Sequence, residues 1–147
     1  MCCYPNLVKI IFSKFVFFIN YIIINFLMSL SSLYSDLLSI LIPASLRDFS
    51  LVSVSESPSC IVLRLEESVN NIPLSLKDNP NIVLDGFCNP LELQTFPLND
   101  KPVYFKIYRR RWKLSGDNKH HSNRHDLHPL GVKATFEFAA FLKEELG

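Results

Sequence analysis

The sequence predicts a small α+β domain, an antiparallel β-meander of four or five strands with an N-terminal and a C-terminal helix. Three observations predict it. Apolar and polar residues alternate at 60–66, 91–96 and 103–108, the signature of half-buried strands. Clusters of Pro, Asn, Asp and Gly separate these runs. Apolar residues at helical spacing occur only towards the two ends. The chain has 147 residues, 48% hydrophobic and 20% charged. That composition excludes a polar disordered chain, and the length suffices for a core without disulfides or a structural metal.

The chain divides into a hydrophobic extension, residues 1–27, and a domain, residues 28–147. Between Ile10 and Met28 nearly every residue is apolar, close to the roughly 20 that a membrane helix needs. Lys14, Asn20 and Asn25 interrupt the run, and both amides would need partners in lipid. Three readings of this stretch stand: a membrane helix, a buried segment of a soluble fold, and a spurious start upstream of Met28. The last follows from monotony in Phe, Ile, Asn, Lys and Tyr, and from the conventional opening MSLSSLYSDLLS at Met28.

Leu30, Leu33, Leu37, Leu38 and Leu41 share one face of a helix over 30–42, which Pro43 ends. Residues 44–49 allow one further turn. Leu51–Val54 is extended, and the turn cluster Glu56-Ser57-Pro58-Ser59 joins it to the strand 60–66 as a hairpin. Residues 67–90 are loop-rich, with a short strand at 82–84. Strands 90–96 and 102–112 form a second antiparallel hairpin with Asn99-Asp100 at its tip. Residues 119–131 have no clear period. A helix spans 135–146, with Thr135 as N-cap and Glu137 in its first turn. Phe138, Phe141, Leu142 and Leu146 share a face that should dock on the sheet or on a partner.

Charge is unevenly distributed. The total is 15 Lys+Arg against 14 Asp+Glu, or +1, which argues against both a basic coat and an acidic tail. Residues 29–100 carry three basic residues and nine acids, whereas 101–133 carry nine basic residues against Asp117 and Asp126. The densest part is the basic strand, 103–113. By alternation Tyr104, Lys106, Tyr108, Arg110 and Trp112 lie on one face, and Phe105, Ile107, Arg109, Arg111 and Lys113 on the other. Guanidinium on both faces points to a strand running off a sheet edge. Such a surface suits phosphate, so Lys106, Arg109, Arg110, Arg111 and Lys113 are the expected nucleic-acid contacts, with Trp112 packing or stacking at the edge. The competing reading is that a basic end balances an acidic middle, within one fold or across a dimer.

Other chemistry has weaker signals. His121, His125 and His128 have helical ligand spacing, but Asn118, Ser122, Asn123 and Pro129 oppose a helix there, so no metal is expected. The cysteines, Cys2, Cys3, Cys60 and Cys88, form no CxxC, which points to a reduced, cytoplasmic chain. Gly-rich phosphate loops, HExxH and GxSxG are missing. Glu66-Glu67 reads as the solvated end of a strand. No catalytic residue or cofactor is expected.

Several blocks then carry a family resemblance. In order they are Ile42–Phe49 (IPASLRDF), Ile61–Glu67 (IVLRLEE), Ile72-Pro73, Gly86-Phe87, Leu91–Pro97 (LELQTFP), Val103–Trp112 (VYFKIYRRRW) and Gly131–Glu144 (GVKATFEFAAFLKE). Together they resemble the short N-region proteins of ISAon1-type insertion sequences from Bacteroidetes, over about residues 40–146. Such proteins look like the front part of a split transposase whose catalytic DDE part is encoded separately. The resemblance implies a non-catalytic accessory role in transposition, in DNA-end binding or in assembly with the catalytic subunit. Only Arg109, Arg110, Arg111 and Trp112 match the family's basic block; their binding role rests on the charge argument. Residues 1–27 have no counterpart, and the histidines between Trp112 and Leu127 depart from the family pattern. The expected partners are therefore DNA, the DDE subunit and a second copy of the chain, with a membrane only if 10–28 is expressed.

Overall fold

The computed structural model describes residues 5–147, with side chains from Val16 onward. Cys2 and Cys3 lie outside the described residues. The chain forms two compact units, Met1–Ile42 and Pro43–Gly147.

The first unit is one helix, α1, Pro5–Leu41. It is far longer than the 30–42 that leucine spacing predicts, because the apolar stretch before Met28 joins it without a break. Its part from Val16 to Leu41 has 26 residues, with an 18-residue stretch of mean hydropathy 1.8 that has no buried share. Asn25 turns its amide back on the helix, donating to Tyr21 O at 2.8 Å.

The second unit is α+β. Its six strands are β1 Phe49–Glu56, β2 Ile61–Glu67, β3 Ile82–Phe87, β4 Leu91–Leu98, β5 Lys101–Tyr108 and β6 Arg110–Leu114; helix α2, Phe136–Leu146, follows. Both expected hairpins form. β1 pairs antiparallel with β2 across a turn in which Ser57 N donates to Cys60 O at 2.9 Å. β4 pairs antiparallel with β5, and Asn99 and Asp100 at the tip have φ of 51° and 61°. Two consecutive left-handed residues make the kind of two-residue turn whose twist suits a hairpin, and Asn and Asp tolerate it better than other side chains.

The sheet itself departs from an antiparallel meander. Its order is β1-β2-β5-β4, and β2 lies parallel to β5, with Ile61 opposite Val103 and Glu66 opposite Tyr108. The two hairpins are therefore joined side by side through their inner strands, giving a mixed four-stranded sheet. β3 and β6 pair separately as a two-stranded antiparallel sheet. The expected strand 102–112 is thus two strands belonging to two sheets.

One face of the larger sheet is the core. Ile61, Leu63 and Leu65 of β2, Leu93 of β4, and Val103, Phe105 and Ile107 of β5 are all buried. Leu46, Phe49, Leu76, Trp112, Leu127, Ala134 and Phe138 complete the buried apolar set. The segment after β6 is irregular but pinned by backbone hydrogen bonds. Trp112 and His121 exchange a pair at 2.8 and 2.7 Å, while Gln94 N donates to Lys133 O and Thr135 N to Gln94 O. Thr135 caps α2 as expected, its hydroxyl accepting from Phe138 N. α2 rests on β4 through Phe138 against Phe96, ring centroids 5.2 Å apart. Only its first turns are covered: Phe141 is 42% exposed and Leu146 82%.

Candidate nucleic-acid interface

Strand alternation holds along β5 as far as Tyr108 and then fails. Val103, Phe105 and Ile107 point into the core, while Tyr104, Lys106 and Tyr108 are half-buried on the opposite face. At Arg109 the ladder breaks. Arg109 O accepts from Cys88 N at 2.9 Å, and Arg110 N donates to the carboxylate of Glu67 at 2.7 Å. The parity of the inward residues changes across the break, so that Trp112, expected on the face of Tyr104 and Tyr108, is buried at 6% exposure. Trp112 is a core residue rather than a stacking surface at the sheet edge.

The cations of the basic strand differ in what they meet. The Arg110 side chain is 15% exposed, its Nε donates to Glu67 O at 2.8 Å, and its guanidinium covers the Phe87 ring at 4.7 Å. Its Nη2 lies 3.7 Å from Glu66 Oε2. Arg110 is thus tied into the fold rather than directed outward. Arg111 Nε sits 3.1 Å from Asp85 Oδ2, and Lys113 Nζ 3.0 Å from Asp85 Oδ1. Both remain a third or more exposed. His120 Nδ1 approaches the same carboxylate at 3.0 Å. The hydrogen bond from Lys113, aided by the charges of Lys113, Arg111 and His120, holds the Asp85 carboxyl below its usual range against some desolvation. Lys106 is half-buried on β5, in register with Arg64 of β2 and Glu92 of β4.

These pairings bring the acidic middle of the chain onto its basic end, so the guanidinium groups do not all stand free in water. The acids nonetheless fall short of the cations. Asp85 is shared by Arg111 and Lys113, and Glu66 by Arg64 and Arg110. At Asp85 one carboxylate with two cations leaves net positive charge on the surface, whereas for Arg64 and Arg110 a second carboxylate, that of Glu67, accepts from Arg110 N. Arg64 also lies over the Tyr108 ring at 4.3 Å, which in turn meets Phe87 edge-on at 5.7 Å. The polar face of the sheet therefore presents Arg64, Tyr104, Lys106 and Tyr108 as one half-exposed charged and aromatic surface, with Glu66 and Glu92 interspersed among its cations.

The sequence places Glu67 at a solvated strand end, but in the fold it is 1% exposed. Oε1 accepts from Asn71 Nδ2 and Asn123 Nδ2, both at 2.8 Å, and meets His125 Nε2 at 2.9 Å. Oε2 takes Arg110 N. One carboxylate thus ties the end of β2, the loop after it, the β5–β6 break and the irregular segment. Position 67 continues the inward parity of Ile61, Leu63 and Leu65, and that was the signal in the sequence.

Beside the break lies a cleft of about 440 Å³ lined by Leu91, Arg109, His125, Asp126, Leu127, His128 and Leu130. Arg109 is the basic-strand arginine without an acid: no carboxylate of the described residues pairs with it, and its buried Nε meets no acceptor. His128 Nδ1 faces Pro129 O at 2.8 Å, which assigns a proton to that nitrogen. Among the described residues no three His, Cys, Asp or Glu side chains converge to hold a metal, and Cys60 and Cys88 are free thiols. Compared with family models, curated proteins and solved structures, the chain matches none.

Proposed function

We propose that the chain is the accessory N-terminal part of a split insertion-sequence transposase, binding DNA during transposition beside a separately encoded catalytic DDE subunit. The observation that carries the DNA reading is the excess of cations over carboxylates along β5 and β6. The sequence blocks that resemble the transposase N-region fall on β2, β4, β5, β6 and α2, the framework of that surface. Of the six residues expected at the interface, Lys106, Arg111 and Lys113 are the phosphate contacts in this reading, and Arg109 joins them from the cleft. Arg110 and Trp112 hold the strand that presents them. The exposed Phe141 and Leu146 of α2 suit docking on the DDE subunit.

Gel-shift titration of DNA at increasing salt tests the proposal. Four phosphate contacts give a slope of log affinity on log salt of about −3.6, which is roughly 150-fold weaker binding at about 200 mM than at about 50 mM salt. Binding indifferent to salt, or no binding at low salt, would reject it.

α1 favours a second reading, a small membrane-anchored protein. Its 26-residue stretch from Val16 is long and apolar enough to cross a membrane, and none of it is buried. At about 1.5 Å per residue it exceeds the roughly 30 Å hydrocarbon core of a bilayer. Fractionation of cells making the full chain should then place it in the membrane pellet, resistant to alkaline carbonate and released by detergent. Recovery in the soluble fraction would dismiss the anchor.

A further inference from the structure

We propose that the cleft at the β5–β6 break binds a phosphate-bearing nucleotide, with Arg109 taking the phosphate. The inference rests on the DNA reading for the source of that nucleotide, and adds a discrete pocket to the diffuse charge of the strand.

Arg109 differs from its neighbours. Arg110 and Arg111 are satisfied by Glu66, Glu67 and Asp85, whereas Arg109 lines an open cleft with no carboxylate paired to it. Its Nε is buried without an acceptor, and its other N–H groups, which make no hydrogen bond among the described residues, are the ones a ligand in the cleft can reach. Its planar fork matches the oxygens of a phosphate. The rest of the lining fits what is attached to that phosphate. Leu91 and the buried Leu127 form apolar wall on which a sugar or base can pack, and about 440 Å³ is the volume range of small-ligand sites. His128 has Nδ1 committed to Pro129 O, so its Nε2 is the nitrogen left for a ligand. Asp126 is the one acid in the lining. It would repel a second phosphate and accept a hydrogen bond from a base amino group or a sugar hydroxyl, which favours a mononucleotide unit over inorganic phosphate.

The test is calorimetric titration of the full chain, in non-ionic detergent, with deoxyadenosine 5′-monophosphate and with deoxyadenosine. The monophosphate should bind at least about tenfold more tightly, a difference of about 1.4 kcal/mol. Arg109→Ala should reduce its affinity to that of the nucleoside. Arg109→Lys should keep part of it, because the charge survives and the fork does not; this variant decides the matter if the alanine protein fails to fold. A 5′-phosphorylated oligonucleotide that displaces the monophosphate identifies a DNA strand as the source, and failure to displace it identifies a free nucleotide. Equal binding of nucleotide and nucleoside, or an unchanged titration in the two variants, overturns the inference. That result alongside normal salt-dependent DNA binding would remove the cleft alone. Nucleotide binding with no DNA binding would remove the DNA reading alone.

Discussion

Replacing Glu67 by alanine will lower the stability of the β-domain by about 3–5 kcal/mol, the usual cost of stripping one partner from a buried charged network. The change leaves the Asn71 amide, the His125 ring and the Arg110 backbone N–H without their acceptor, while the Asn123 amide keeps only Asn71 O at 2.6 Å. Each buried polar group so abandoned costs about 1–3 kcal/mol, and partial relaxation keeps the total below the sum. Glu67→Gln should cost less, about 1–3 kcal/mol. A glutamine can keep its oxygen towards the two asparagines and His125, but its NH2 group then faces the N–H of Arg110. Urea denaturation followed by Trp112 fluorescence reads both. A midpoint shift in Glu67→Ala worth under about 1 kcal/mol would show that the carboxylate is dispensable. Because Arg110 N is one of its donors, the loss should also loosen the β5–β6 break, and with it the approach of Arg111 and Lys113 to Asp85.

Removing the Asp85 carboxylate and removing its two cations should move DNA affinity in opposite directions. At about 0.1 M salt each phosphate contact contributes close to one decade of affinity. Arg111→Ala with Lys113→Ala should therefore weaken binding roughly sixtyfold and lower the salt slope by about 1.8. Asp85→Asn frees both cations from their internal acid and should strengthen binding several-fold. The opposite signs separate a polyanion surface from a purely structural ion-pair cluster. If the cluster only stabilises the fold, both changes lower stability and neither alters the salt slope.

The parts of the fold written in local pattern were legible. Alternation located β2, β4 and β5, the Asn99-Asp100 pair located a turn, and Thr135 located the start of α2. The parallel seam between β2 and β5 was not, because the two strands that meet there are distant in sequence and each also fits a simple hairpin. The break at Arg109 was also hidden. The run from Val103 to Trp112 reads as one strand by period, and only the capture of Arg110 N by a carboxylate from β2 divides it. The same blindness affected the interface. The sequence shows where cations cluster, but not that Asp85, on a strand set among loop signals, lies beside them. Trp112 followed from the hidden break: once parity changes, an aromatic assigned to the surface becomes core.

The parallel seam has a consequence for how the chain is built. Each hairpin closes on itself over a short turn, but Ile61 meets Val103 only after the whole intervening stretch has been made. Closing so long a loop is the entropically expensive step, and it comes before the contacts that reward it. On the ribosome the first hairpin must wait, with the inner edge of β2 bare, until the second emerges. Arg64 and Glu66 flanking that edge put alternating charge where another nascent strand could otherwise add.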